Sequence, residues 1–288
     1  MIQDIGPLEF SNAYETAPGG PRDYVLSFEG HDFAAHRSDD GLIDALPTLG
    51  CFGDSFSRTH DAVFLFRIGG ERYCLALPRN PQPDVPAPAC DAPGYGYVSM
   101  RDFGAIAPRH LRMAVSTGIQ LNRWYRAGRF CGVCGGEMRR SEAERMLECP
   151  TCGNQVYPRI QPAVIVAVTD GDRLLMTRYA GRGYVHRALV AGFCEIGETA
   201  EETVAREVME ETGIRVKNIR YRGSQPWGLA SDLLLGFTAE LDGDPTIHID
   251  PGELASAEWV RREDIFEEDD GVSLTRHLVM RFKNGELV

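Results

Sequence analysis

Between Gly192 and Ile214 the chain reads GFCEIGETAEETVAREVMEETGI, and its carboxylates stand at spacings that chemistry can use. Glu207, Glu210 and Glu211 recur three and four residues apart, which on a helix gathers them on one side. Like charges so placed repel by roughly 0.2–0.5 kcal/mol per pair, a local liability unless a cation neutralises it. Hard carboxylate oxygens suit Mg²⁺ or Mn²⁺. An acidic helix face can also be merely solvated, but here Gly192 and Gly197 bracket a turn directly before it. Such a turn lets backbone approach a phosphate or metal closely.

The element that must position these groups is a helix over residues 200–212. Thr199 and Glu202 have the form of a capping box, and Gly213 supplies a left-handed stop. In that register Ala205, Val208, Met209 and Thr212 are expected to share the packing side. A second constellation is Cys131-x-x-Cys134 and Cys149-x-x-Cys152, with fourteen residues between the pairs, which is zinc spacing. Four thiolates close the coordination shell and leave no position for water, so the ion is expected to be structural. Its binding would contribute on the order of 10 kcal/mol to folding this small unit. A nucleic-acid-binding ribbon is the other reading, but Arg139, Arg140 and Arg145 are offset by Glu137, Glu142, Glu144 and Glu148. Cys51, Cys74, Cys90 and Cys194 are scattered and read as reduced structural residues; the carboxylate chemistry of the Gly192–Ile214 stretch needs no thiol from Cys194.

At 288 residues the chain is long enough for about two domains with proper cores. Its net charge of −12 argues against a broad nucleic-acid or anionic-membrane surface, while leaving room for a single capped nucleotide end. Residues 1–30 hold no basic segment followed by an apolar core, and no apolar run reaches the roughly 18 residues of a membrane span. A cytoplasmic protein is the expectation.

In chain order, residues 1 to about 107 are strand-rich, with apolar runs at 24–28 and 62–68 and a hairpin at Gly69-Gly70 leading into 73–77. The proline-rich passage 78–93 reads as loop. No catalytic constellation falls here, so a structural or dimer-forming role is expected. Leu111, Val115, Ile119, Leu121 and Trp124 mark a helix over 108–127, weakened by Gly118. Beyond the cysteines, strands are expected at 163–168, 173–178, 189–193, 215–224, 233–241 and 258–260, with a closing helix at 274–282. The division is residues 1–129, strand-rich domain plus connecting helix; 130–156, zinc ribbon; and 157–288, a mixed sheet with helices on its faces.

The order of cysteine ribbon, Tyr157-Pro158, the Gly192 to Ile214 box and Ser224-Gln225-Pro226-Trp227 resembles the NADH pyrophosphatase family of Nudix hydrolases. The resemblance covers residues 99–288, and the N-terminal part by position only. It implies a mixed α+β chain: a Nudix α/β/α sandwich with a zinc ribbon and a strand-rich N-terminal domain. It also implies a homodimer with active sites at the subunit interface, Mg²⁺ or Mn²⁺ catalysis and a structural Zn²⁺. Carried over by position, the catalytic carboxylates match Glu207, Glu210 and Glu211. The metal ligands match Glu207, Glu211, the carbonyl of Ala191 and Glu253, with Glu210 holding a metal through water or helping to activate the nucleophile. Glu198 and Arg206 match the family's structural pair. Substrate contacts fall on Tyr157, Gln225 and the segment reaching Asp232, with Phe193 and Trp227 placed to stack on a planar ring or else to serve as core. Glu144, Arg101 and Thr275 match less closely.

The implied reaction is hydrolysis of NADH or NAD⁺ to nicotinamide mononucleotide and AMP. The chain departs from the family where Pro-Phe-Pro, a variable residue and Ser are usual, reading Gly228-Leu229-Ala230-Ser231-Asp232. Asp232 would repel a dinucleotide's phosphates if near them, or accept from ribose hydroxyls if further out. The preferred substrate therefore stays open among NADH, ADP-ribose-like dinucleotides and the NAD cap of an RNA 5′ end. A non-catalytic nucleotide sensor with a nucleic-acid-binding ribbon is the alternative of another class. Such a sensor could do without its carboxylates, and here all three are present.

Overall fold

The computed structural model describes residues 1–54, 56–79, 85–181 and 187–287. The chain divides into two compact units, one of residues 3–159 with 228–230, the other of residues 1–2, 160–227 and 231–288.

In the first unit the hairpin expected at Gly69-Gly70 is present. Strands β1 (His60–Ile68) and β2 (Glu71–Pro78) pair antiparallel across two glycines at φ 59° and 86°, the turn whose twist matches the strands. They are the centre of a four-stranded sheet completed by Phe10–Ser11 and Tyr24–Leu26. A second sheet joins Phe28–Glu29, Asp32–Arg37, Ile43–Ala45 and Tyr95–Ser99. Of the proline-rich passage, residues 80–84 lie outside the described residues; 85–91 carry no regular structure.

Helix α1 (Arg109–Ala127) follows, as the apolar spacing predicts. Gly118, which weakens the sequence case by about 1 kcal/mol, has a packing reason. A Cβ there would sit 2.5 Å from Leu26 Cδ1, so its absence lets the helix close on the strand. Gly228 is a second close approach: its Cβ would fall 2.0 Å from the Ser116 carbonyl oxygen on α1. The neighbouring Leu229 carbonyl accepts from Arg123 Nη1 of the same helix at 2.5 Å.

The second unit is built on six strands: β3 (Gln161–Asp170), β4 (Arg173–Tyr179), β5 (Val190–Phe193), β6 (Val216–Trp227), β7 (Asp232–Leu241) and β8 (Leu254–Arg261). The order is β6-β7-β3-β4-β8, with β5 also on β3. The β3–β7 pair is parallel and the others antiparallel, a mixed sheet. Alternation along β3 explains the layers, because successive side chains leave on opposite faces. Val164, Val166 and Val168 pack with Val204 and Val208 of helix α2 (Ala200–Thr212). Ile165 and Ala167 pack with Leu274, Leu278, Val279 and Phe282 of helix α3 (Leu274–Lys283). Each Val, Ile, Leu or Phe among them contributes roughly 1.5–3 kcal/mol by leaving water, enough to seat both helices. The sheet between two helical layers is the α/β/α sandwich the sequence predicts. Its last strand is longer than the three residues expected, at eight.

Candidate active site

Helix α2 begins and ends where its sequence predicts. Thr199 Oγ1 accepts from the Glu202 N–H at 3.2 Å and Glu202 Oε2 accepts from the Thr199 N–H at 2.8 Å, a complete capping box. Gly213, at φ 69°, closes the helix by donating to the Met209 carbonyl at 2.9 Å. The buried face differs from the expectation. Thr203, Val204, Val208, Glu211 and Thr212 are buried, whereas Ala205 is exposed and Met209 is 41 % exposed. The apolar stripe is centred on Val204 and Val208, one residue back along the helix, and at 100° per residue that turns Met209 outward and Glu211 inward.

Arg206 is the hub of the acidic cluster. Its Nε and Nη2 reach both oxygens of Glu198 at 2.6 and 2.9 Å, the pair expected from the sequence. It does more than that: Nη2 also donates to the Phe193 carbonyl at 3.0 Å. Nη1 donates to Glu207 at 2.8 Å and to Glu210 at 3.0 Å. The like-charge liability of the cluster is therefore eased from within. The Arg206 guanidinium holds the Glu198 carboxyl down at about 2, helped by the Glu195 N–H and the Thr203 hydroxyl. Neither Thr203 nor the Phe193 carbonyl could be picked out from sequence, because both act through hydrogen bonds no motif encodes.

Glu207 sits in a cradle. A Cβ on Gly192 would lie 2.0 Å from the Glu207 Cδ, so only glycine lets that carboxylate rest against the backbone of β5 beside Ala191. Burial raises the Glu207 pKa; Arg206 opposes the shift, and the charges of Glu210 and Glu253 add to it. Glu253 thus shares the field of the helix carboxylates, and the backbone explains how. The His248 N–H donates to the Thr212 carbonyl at 2.9 Å and the Asp250 N–H to the Glu211 carbonyl at 3.1 Å, tying this loop to the last turn of α2. Glu211 is 2 % exposed, and the Glu210 side chain is 60 % exposed. These hard oxygen donors, with Glu207 seated in a glycine cradle, fit a divalent cation such as Mg²⁺ or Mn²⁺.

The other sequence-selected residues are placed less uniformly. Phe193 is 51 % exposed at the end of β5, and Trp227 is half-buried at the end of β6. Gln225, expected to meet substrate, is fully buried: Nε2 donates to the Val272 carbonyl at 2.6 Å and Oε1 accepts from the Leu274 N–H at 2.8 Å. It fastens β6 to the start of α3, where Thr275 occupies the first turn. Tyr157 and Glu144 come together, the hydroxyl donating to the carboxylate at 3.1 Å, in the ribbon-bearing unit. Arg101, exposed in the same unit, has its N–H capped by Ser99 Oγ at 3.3 Å.

Asp232 is 7 % exposed, and among the described residues its Oδ1 has no hydrogen-bond partner. Burial raises its pKa above the ordinary 3.8. The folded chain therefore holds the proton more tightly than the unfolded one, and the charged form costs stability as pH rises past that value. Asp232→Asn is expected to stabilise the protein by roughly 1–3 kcal/mol at pH 8. Thermal unfolding should show that gain shrinking toward pH 4; equal gains at both pH values would refute a charge penalty.

The four ribbon cysteines form a compact set with all Sγ atoms within 4.8 Å, the only such metal-ligating cluster among the described residues. The box carboxylates are spread more widely. Cys131 and Cys152 lie 3.6 Å apart and Cys134 and Cys149 3.5 Å, near the roughly 3.8 Å sulfur spacing that 2.3 Å Zn–S bonds give in a tetrahedron. Two like knuckles produce this. The Gly135 N–H donates to the Cys131 carbonyl at 2.9 Å and the Gly153 N–H to the Cys149 carbonyl at 2.8 Å. Backbone N–H groups of Cys134 and Val133 hold the Cys131 thiol down to about 6, ready to bind as thiolate. The set fits a closed zinc site.

A capped glutamate helix on a sandwiched mixed sheet is the frame of a Nudix fold, and residues 159–282 match the NUDIX domain model. Residues 126–157 match the NADH pyrophosphatase zinc ribbon domain. The chain thus carries a Nudix domain preceded by the NADH pyrophosphatase zinc ribbon domain. It is similar to the NAD-capped RNA hydrolases NudC of Salmonella typhi and Shigella flexneri, each 47 % identical over 149 residues, and to that of Escherichia coli O1:K1 at 46 %. Each match covers 51 % of this chain and 57 % of the relative's length. A solved NUDIX hydrolase from Nitrosomonas europaea is 23 % identical with a TM-score of 0.45, covering 54 % of this chain and 91 % of its own. Among the described residues, no helix is long and apolar enough to cross a membrane.

Proposed function

We propose that the chain hydrolyses the pyrophosphate bond of NADH or NAD⁺, releasing nicotinamide mononucleotide and AMP. The observation that carries this reading is the Glu207 carboxylate seated against Gly192 within the field of Glu210 and Glu253, on the helix that also bears Glu211, in a chain that also bears the ribbon. Glu207, Glu211, Glu253 and the Ala191 carbonyl would hold Mg²⁺ or Mn²⁺. Bound there, the ions would cancel the pyrophosphate charge that turns away water and would steady the leaving phosphate. Glu210, more exposed than Glu207 or Glu211, takes the proton from the attacking water as one phosphorus–oxygen bond forms and the bridging one breaks. Arg206 keeps Glu207 and Glu210 oriented while Glu198 anchors it. Phe193, open to solvent beside the cradle, offers its ring to a base or nicotinamide, worth roughly 1–3 kcal/mol.

The same linkage joins nicotinamide mononucleotide to the 5′ adenosine of an NAD-capped RNA, and the similarity to NAD-capped RNA hydrolases favours that substrate as a second reading. The family resemblance supports a homodimer with active sites at its interface, and four unpaired cysteines in zinc-binding geometry suit a reducing cytoplasm. Purified protein incubated with Mn²⁺ and, separately, NADH, ADP-ribose and NAD-capped RNA should yield mononucleotide products, the fastest turnover naming the substrate. No phosphate-ester product from any of them with any divalent ion would end the enzymatic reading and favour a nucleotide sensor. Gly192→Ala drives its methyl into the Glu207 carboxylate. NADH turnover is expected to fall between roughly ten- and a hundredfold, the loss for displacing a catalytic group by about 1 Å. Unchanged turnover would mean that Glu207 needs no cradle.

A further inference from the structure

The first unit contains a cavity of about 920 Å³ that lies wholly outside the acidic cluster. It opens where the ends of β1 and β2 meet the last turns of α1 and the first strand of the ribbon. Arg79, Arg126, Arg129, Arg139 and Arg140 line it, against the carboxylates of Glu29, Asp61 and Glu137. A chain with net charge −12 has thus gathered a positive surplus in one concavity.

The arginines are not consumed by each other's partners. Asp61 takes both Arg79 and Arg140, each at 2.9 Å, which orders two guanidinium groups while neutralising one. Among the described residues, Arg126 and Arg139 make no ion pair, and both are exposed. Arg129 lies over the Phe130 ring at 4.8 Å, and its buried Nε has no acceptor. Beneath them lie polar side chains that water barely reaches. Asn122 is 7 % exposed, and among the described residues its amide makes no side-chain hydrogen bond. His60 is 3 % exposed, with Nδ1 turned to the Thr59 hydroxyl at 2.9 Å. Leu77 and Leu147 supply apolar wall.

We propose that this cavity is a second ligand site and that it binds a nucleoside monophosphate. Guanidinium groups present the planar donor fork that phosphate oxygens accept. An amide at the cavity wall with free donors and acceptor can read a base or ribose edge. The volume suits one nucleotide, since small-molecule sites run to roughly 1,000 Å³. The phosphate could belong to a free nucleotide or to the 5′ end of an RNA, and the two share this chemistry. The site does not depend on the hydrolytic reading. It gives the strand-rich region a task of its own.

Equilibrium dialysis of the full-length, zinc-loaded protein against AMP, without added Mg²⁺ or Mn²⁺, tests this. Binding to the wild type should weaken by about tenfold or more in the Arg126→Glu, Arg139→Glu double variant. Inorganic phosphate should compete, and NADH turnover should stay within about twofold, since neither arginine belongs to the cluster. Asn122→Ala should lose preference for AMP over inorganic phosphate. A 5′-phosphorylated trinucleotide binding more tightly than AMP, and released by the same double variant, identifies an RNA end; AMP binding the more tightly identifies a free nucleotide. No AMP binding at millimolar concentration overturns the proposal. So does equal AMP binding by wild type and double variant, including the case where Arg126→Glu merely lowers the melting temperature as a lost partner of the helix end.

Discussion

Glu211→Gln should fold as the parent does and hydrolyse NADH about a hundredfold more slowly or worse. Glutamine keeps the shape of a side chain that is 2 % exposed and flanked by Val208 and Thr212, so packing is preserved while the charge is lost. That charge sits on the last turn of α2, whose carbonyls at Glu211 and Thr212 are already bonded to the loop bearing Glu253. Removing it should leave the loop in place and weaken only the grip on the divalent ion, so Mn²⁺ affinity and turnover fall together. Melting temperature, circular dichroism and steady-state rates on one preparation separate the two effects. Near-normal turnover would overturn the metal assignment; a collapsed fold would mean that the carboxylate is needed for structure first.

Cys149→Ser should release the zinc and cause the chain to aggregate. Three thiolates and a hydroxyl no longer close the shell, and on the order of 10 kcal/mol of metal-linked folding free energy is at stake. The damage should not stop at the ribbon. Tyr14 donates to the Ser141 carbonyl at 2.8 Å, Arg145 to Asn12 at 2.6 Å, and Arg140 pairs with Asp61 at 2.9 Å, all within one compact unit. Metal analysis should find zinc lost from the variant, and light scattering should find it associated. A soluble, zinc-free and fully active Cys149→Ser protein would strip the ribbon of a structural role.

Local signals were the legible ones. Thr199, Glu202 and Gly213 bracket α2 because caps act over three or four residues, and the cysteine pairs announce their site because each knuckle closes within one turn. Glycines at 69 and 70 forecast the hairpin for the same reason. What escaped was set by partners distant in the chain. Val204 and Glu211 turn inward, not Ala205 and Met209, because of where β3 lies beneath the helix. Gln225 has the composition of a substrate contact and spends its amide on Val272 and Leu274, almost fifty residues on. Gly118 reads as a defect until Leu26 is seen against it. Arg206 was paired with Glu198 alone, since four simultaneous acceptors leave no trace in spacing.

The tight seat of Gly228 against Ser116 bears on how this chain could have diverged. With 2.0 Å between a hypothetical Cβ and that carbonyl oxygen, the family's usual proline has no room at position 228 unless α1 first moves away. Arg123 of the same helix, holding the Leu229 carbonyl, adds to that barrier. The unusual segment and the helix beneath it are therefore a matched pair, and transplanting the common Pro-Phe-Pro stretch alone should yield a misfit.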